Sequence, residues 1–152
     1  MPQENRPTFA WRLDQLEARA AVGQLMADYG FGFDNRDAGR FMRIWADDAL
    51  LYLGERFGER RGLEAIRNAF DAVLDTCHET RHWVTDITVD FTGEDTATGG
   101  AHAICFMVNA MGEIFVAADY ENEYARANGR WLISSSRVIT HWNKKVDLET
   151  LP

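Results

Sequence analysis

The stretch Cys77-His78-Glu79-Thr80-Arg81-His82-Trp83 concentrates the side chains of this chain that could do chemistry, and it spells H-E-x-x-H. On a helix that spacing sets two imidazoles one turn apart on one face, where they hold a zinc ion with the glutamate beside it as general base. The surrounding pattern argues against a helix reaching so far. Leu63, Ile66, Ala69, Phe70, Val73 and Leu74 recur at helical spacing, whereas Trp83, Thr85, Ile87, Val89 and Phe91 alternate with period two. That leaves His78 to Arg81 on a turn between helix and strand. A zinc hydrolase also needs a third protein ligand, and the other histidines, His102 and His141, fall in strand-like segments. The chain is therefore read as holding no metal. His82 becomes a single imidazole at the start of a strand, in want of an acid partner.

Composition narrows what else the chain can be. Its 152 residues suit one domain with a real core. A net charge of −8 disfavours nucleic acid and anionic membrane surfaces, which call for clustered Lys and Arg. No apolar run has the length of a membrane span and the N-terminus lacks a signal-peptide core, so the expectation is a cytoplasmic protein. Cys77 and Cys105 form no disulfide framework and read as buried thiols. With no P-loop, G-x-G-x-x-G or G-x-S-x-G, nucleotide cofactors and a serine nucleophile lack support, and the expectation is no cofactor.

The elements that would position His82 are legible. A flexible tail is expected over 1–10, a single domain over 11–145 and a C-terminal tail over 146–152. Trp11 to Phe33 form an amphipathic helix with Leu13, Leu16, Ala20, Val22, Leu25, Met26 and Tyr29 on its apolar side. A short helix over Ala38 to Trp45 leads to a strand near Ala49 to Leu53, and an arginine-rich hairpin precedes a third helix from Gly62. The rest reads as strands at Arg81 to Phe91, Thr96 to Asn109, Glu113 to Arg126 and Arg130 to Trp142. Thr92-Gly93-Glu94-Asp95, Met111-Gly112 and Asn128-Gly129 supply the turns. Helices followed by a meander of long strands describe an α+β domain with an antiparallel sheet. Small residues such as Gly99-Gly100 let such strands bend, and a curved sheet closed by helices encloses a pocket.

Tyr29 and Asp34 at the end of the first helix carry a resemblance. So do Trp45-Ala46-Asp47-Asp48-Ala49, Gly62-Leu63-Glu64-Ala65-Ile66, His78 to His82, and Tyr120-x-Asn122-Glu123-Tyr124-x-Arg126-x3-Arg130-Trp131. Together these resemble the SnoaL-like branch of the NTF2-like cone-shaped barrels over nearly the whole chain, Leu13 to Trp142. That branch includes scytalone dehydratases, hexachlorocyclohexane dehydrochlorinases and bile acid dehydratases. The resemblance implies a dyad inside the cone, with Asp34 as the carboxylate and His82 as the imidazole. It also makes Tyr29 a candidate for polarising a substrate oxygen or assisting a leaving group. From the residues alone, Asp34 reads first as a helix cap and His82 as a satisfied histidine, while Tyr29 reads equally as core.

Trp45, Tyr52, His102, Phe115 and Arg137 are the candidate substrate contacts, His102 and Arg137 depending on strand register. Two departures from the pattern stand out: Arg137 sits about one position off the family's strand arginine, and Cys105 replaces a pocket aspartate. The resulting expectation is a cofactor-independent lyase of dehydratase type acting on an apolar cyclic or aromatic small molecule, with loss of halide or of a small aldehyde as variants. An isomerase or cyclase and a non-catalytic binding module remain as alternatives. Both parities of one strand are apolar, with Ile104, Phe106 and Val108 opposite Ala103, Cys105 and Met107, so a homo-oligomer is expected, a trimer ahead of a dimer.

Overall fold

The computed structural model describes residues 8–147, so 1–7 and 148–152, most of the two expected tails, lie outside the described residues. The order is α1 (Phe9–Asp34), α2 (Ala38–Met42), β1 (Trp45–Tyr52), β2 (Glu59–Arg61), α3 (Gly62–Thr76), β3 (Cys77–Thr85), β4 (Asp90–Phe91), β5 (Thr96–Asn109), β6 (Gly112–Ala127) and β7 (Arg130–Val146). Phe9 and Ala10 are already helical and Val146 is still strand, so the ordered elements reach into both expected tails.

Local chemistry explains most of the boundaries. The Thr8 side chain accepts from the Trp11 amide at 3.1 Å and starts α1. Asp37, not Asp34, caps α2, accepting from the Arg40 amide at 2.9 Å, which leaves the Asp34 carboxylate free for other partners. At the β6–β7 hairpin Asn128 and Gly129 take φ of 51° and 73°, the left-handed pair that a two-residue turn requires.

Three expectations need correction. First, β3 begins at Cys77, so His78 to Arg81 are strand rather than turn: Glu79 to Thr85 pair antiparallel with Val108 to His102 of β5. The H-E-x-x-H string thus lies on a strand, where its helical zinc spacing has no meaning. Second, the strand ends at Thr85 and resumes only as β4, with Asp86 in a left-handed turn at φ 53°. Third, the sheet is mixed. Its order is β2-β1-β7-β6-β5-β3 with β4 also on β5, and β1 runs parallel to β7, with Leu50 to Tyr52 beside Ser135 to Arg137. No hairpin joins those two strands, so no turn dictates an antiparallel sense. The sheet runs from β2 to β3 without closing, a curved α+β half-cone rather than a full barrel.

Register shifts in β6 at Ala117/Ala118 and Glu123/Tyr124 help bend the sheet around the helices. The core lies on the concave side, where Val22, Met26, Phe41, Ile44, Ile66, Phe70, Tyr124 and Ile133 are buried. Gly32 lets α1 and α2 touch, since a Cβ there would sit 2.8 Å from Phe41 Cβ and 2.9 Å from its backbone. Among the described residues no helix is long and apolar enough to cross a membrane.

Candidate active site

Asp34 is the last residue of α1, and its carboxylate reaches across to β3. Thr80 and His82, two apart on that strand, point the same way, as strand alternation requires. Gly30 permits the approach: a Cβ there would lie 3.3 Å from His82 Cβ. Asp34 Oδ1 is 2.7 Å from His82 Nδ1 and accepts from Thr80 Oγ1 at 3.1 Å, while Oδ2 accepts from the His82 backbone amide at 2.8 Å. A carboxylate can only accept, so Nδ1 carries hydrogen and the Nε2 lone pair is free. Burial works against the Asp34 charge, but the hydrogen bonds from the His82 ring and amide and from Thr80 outweigh it and hold the carboxyl below its ordinary range.

His82 opens onto a cavity of about 150 Å³ enclosed by α1, α2, α3 and the concave face of the sheet. Its wall is mostly apolar, including Phe33, Leu51, Phe70, Met107, Val116 and Val138. The polar groups on it are Tyr29, Thr80, His82, Cys105 and Tyr120. Phe33 stacks on the His82 ring at 5.4 Å between centroids. Tyr29 meets the same ring edge-on at 6.0 Å and Tyr120 at 5.2 Å. The Tyr29 and Tyr120 hydroxyls interact with each other, and burial pushes both phenols well above their ordinary range, so both stay protonated. Burial, and then the Asp34 charge, push the Cys105 thiol up to about 12, which leaves it an inert part of the wall.

The structure brings Asp34, His82 and Tyr29 together and separates the other candidates from them. Trp45 is buried behind Tyr29, 6.2 Å away edge-on, and does not line the cavity. Tyr52 and Arg137 are paired across β1 and β7 on the convex face, with the guanidinium 4.8 Å over the ring, because Leu51 and Val138 take the inward positions. Phe115 pairs with Phe106 on the convex face, since its neighbour Val116 faces the cavity. His102 is also convex: its Nδ1 lies 2.6 Å from Asp119 Oδ1, and His141 Nε2 lies 2.7 Å from Oδ2 of the same carboxylate. Tyr120, Thr80, Leu51, Met107 and Val116 line the cavity without having been candidate contacts; Leu51 and Val116 are the sequence neighbours of the outward Tyr52 and Phe115, and Thr80 has the same strand parity as His82.

The SnoaL-like domain family matches residues 14–137. A hexachlorocyclohexane dehydrochlorinase of Sphingobium indicum is 36% identical over 125 residues, 80% of each chain. A gamma-hexachlorocyclohexane dehydrochlorinase of the same species is 31% identical over 133 residues, 86% of this chain and 85% of that one. The crystal structure of a type 2 hexachlorocyclohexane dehydrochlorinase superposes with a TM-score of 0.85 at 32% identity, over 90% of this chain and 93% of the other.

Proposed function

Since the chain belongs to the SnoaL-like family, we propose that it is a lyase in which His82 removes a proton from a small, mostly apolar cyclic substrate while a leaving group departs from the adjacent carbon. The observation that carries this reading is the 2.7 Å contact between Asp34 and His82 at the wall of an otherwise apolar cavity. Asp34 is the positioning residue: it fixes the tautomer, turns Nε2 toward the substrate and stabilises the imidazolium that forms. The curated relatives named for dehydrochlorination support elimination as the reaction class. In this reading His82 takes the proton and the C–H electron pair forms the new C=C bond, so the step needs no electron carrier. Tyr29, beside His82, assists at the leaving group.

Hexachlorocyclohexane and β-hydroxycyclohexanone are suitable probes, with product mass reporting loss of hydrogen chloride or of water. His82→Ala should lower the rate on whichever probe reacts by at least ~10². An effect below about tenfold removes His82 from the role of base. A product of unchanged mass means that the proton is returned, as in an isomerase.

The same reading includes a homo-oligomer, a trimer ahead of a dimer. Its support is the convex sheet face, where Trp83 and Trp142 are 55% and 44% exposed beside Ile104, Phe106 and Phe115. Light scattering at micromolar concentration tests it, and a mass near 17.3 kDa refutes it.

A further inference from the structure

The outer face of the sheet carries a second imidazole–carboxylate cluster, separate from the His82 site. Asp119 of β6 is held between two rings: His102 Nδ1 of β5 lies 2.6 Å from Oδ1, and His141 Nε2 of β7 lies 2.7 Å from Oδ2. A carboxylate only accepts, so both nitrogens carry hydrogen and donate. Three adjacent strands are thereby tied together through one carboxylate. The tie crosses a bend. Ala117 pairs with Trp142 but Ala118 pairs with Thr140, so His141 is the extra residue of a bulge in β7. A bulge interrupts the ladder that would otherwise hold two strands together, and here a side-chain bond spans the interruption. Successive strand residues face opposite sides, so the sequence neighbours of the cluster face inward. Ala118 and Tyr120 flank Asp119, Ala103 follows His102, and all three line the cavity.

We infer that His102, Asp119 and His141 are positioning residues that clamp the β5–β6–β7 bend from outside, fix where Ala118 and Tyr120 stand in the cavity, and grip harder in mildly acidic solution. This goes beyond the elimination reading and holds whatever reaction follows binding. The Asp119 hydrogen bond, and then its charge, raise the His102 pKa, with Asp86 adding to them. Hydrogen bonds from His102 and then His141 lower that of Asp119. A raised imidazole pKa means that its share of the grip is complete below the ordinary imidazole range and is lost as pH rises through the raised value. A lowered carboxyl pKa means that its share is present above the ordinary carboxylate range and is lost as pH falls through the lowered value. The grip is therefore firmest between the two ranges. Above them the neutral ring still donates, but without the added strength of a charged donor. The other charged groups facing the cluster are Asp86 after β3, Glu121 and Arg137 opposite each other one rung along, and Lys144 beyond the bulge. Side chains of these types ordinarily keep their charge across the imidazole range. Thr85, opposite His102 on β3, carries none.

Binding of fluorobenzene, followed by ¹⁹F NMR, tests the clamp without any turnover. A His82→Gln background removes the imidazole inside the cavity, so that a remaining pH response comes from elsewhere. Affinity in that background should rise about two- to fivefold from about pH 8 to about pH 6, the scale of an exposed charge pair acting on a wall that binding would otherwise have to order. The ¹³C-labelled Ala118 methyl should shift with the midpoint of the His102 ring. Adding Asp119→Ala should weaken binding and abolish both responses. Asp119→Asn accepts from one neutral ring and donates to the other, so it should match the background at about pH 8 and show no rise on acidification. An affinity that ignores the His102 titration, or that still follows it in Asp119→Ala, overturns the inference. So does a methyl that shifts while the affinity stays constant, since the cluster's charge then reaches the wall without moving it. Thermal denaturation of each variant checks that the fold survives.

Discussion

Asp34→Asn should harm turnover more than Asp34→Ala, the reverse of the usual order for a shape-preserving change. In the wild type Oδ1 accepts from both the His82 ring and Thr80, and Oδ2 accepts from the His82 amide. An asparagine can keep its oxygen at either site. With oxygen at the Oδ1 position, its NH₂ confronts the His82 amide N–H, two donors face to face. With oxygen at the Oδ2 position the amide N–H is satisfied, the NH₂ donates to Nδ1, and the Thr80 hydroxyl rotates to accept. The second arrangement leaves nothing unpaired, so it prevails, and it moves the imidazole proton to Nε2. The base then presents a hydrogen to the substrate, and the rate should fall by about 10³–10⁴, the scale seen when an orienting carboxylate becomes an amide. Alanine imposes no tautomer and should cost less in rate than asparagine, but it strips the His82 amide of its acceptor and should lose about 1–3 kcal/mol of stability. ¹⁵N NMR of the imidazole reads the tautomer directly, and cyclohexenone formation reads the rate. Asparagine with Nδ1 still protonated, or more active than alanine, would refute this account.

Three further outcomes follow from the packing and the buried charges. Gly32→Ala must push the Phe41 backbone, 2.9 Å from the new Cβ, and should lower stability by about 1–3 kcal/mol in a denaturant titration. Asp28 is buried, which raises its pKa, yet hydrogen bonds from Arg43, Arg40 and Gln24 leave it net depressed. The stability it contributes is therefore present above the ordinary carboxylate range and lost as pH falls through the depressed value. Asp28→Asn should cost about 2–3 kcal/mol near neutral pH, discounted because Arg43 is 57% exposed, and should flatten the acid limb of a melting-temperature profile. The Cys105 thiol, pushed up to about 12, should resist iodoacetamide in the native protein at neutral pH and react readily in urea.

Sequence legibility followed the range of the forces involved. The long helices, the β5–β6–β7 meander and the Asn128-Gly129 turn are set by local periodicity and turn chemistry, and all were readable. The start of β3 was not, because Cys77-His78-Glu79-Thr80-Arg81 has no apolar alternation and becomes strand only by pairing with β5. The parallel β1–β7 contact is likewise long-range. For the site, spacing and resemblance led to Asp34, His82 and Tyr29. Which face each strand residue takes needed the register: Phe115 and Val116 are neighbours in sequence and lie on opposite sides of the sheet. A one-position difference of that kind puts Phe115 outside the cavity, and Arg137 likewise lies outward beside the inward Val138.

The parallel pairing of β1 with β7 also bears on the order in which this protein can assemble. Leu51 of β1 is a wall of the cavity, and its parallel partner β7 is the last of the described elements. During synthesis the helices and β1 leave the ribosome with no sheet to dock on, so their apolar faces wait until β5, β6 and β7 have formed as successive hairpins. Closing a loop of that length early costs entropy before any contact repays it. The meander is therefore the natural nucleus and β1 a late addition, which makes the cavity one of the final features to appear. Folding of the full chain should be limited by that step, and the waiting N-terminal half is the segment most exposed to misassociation.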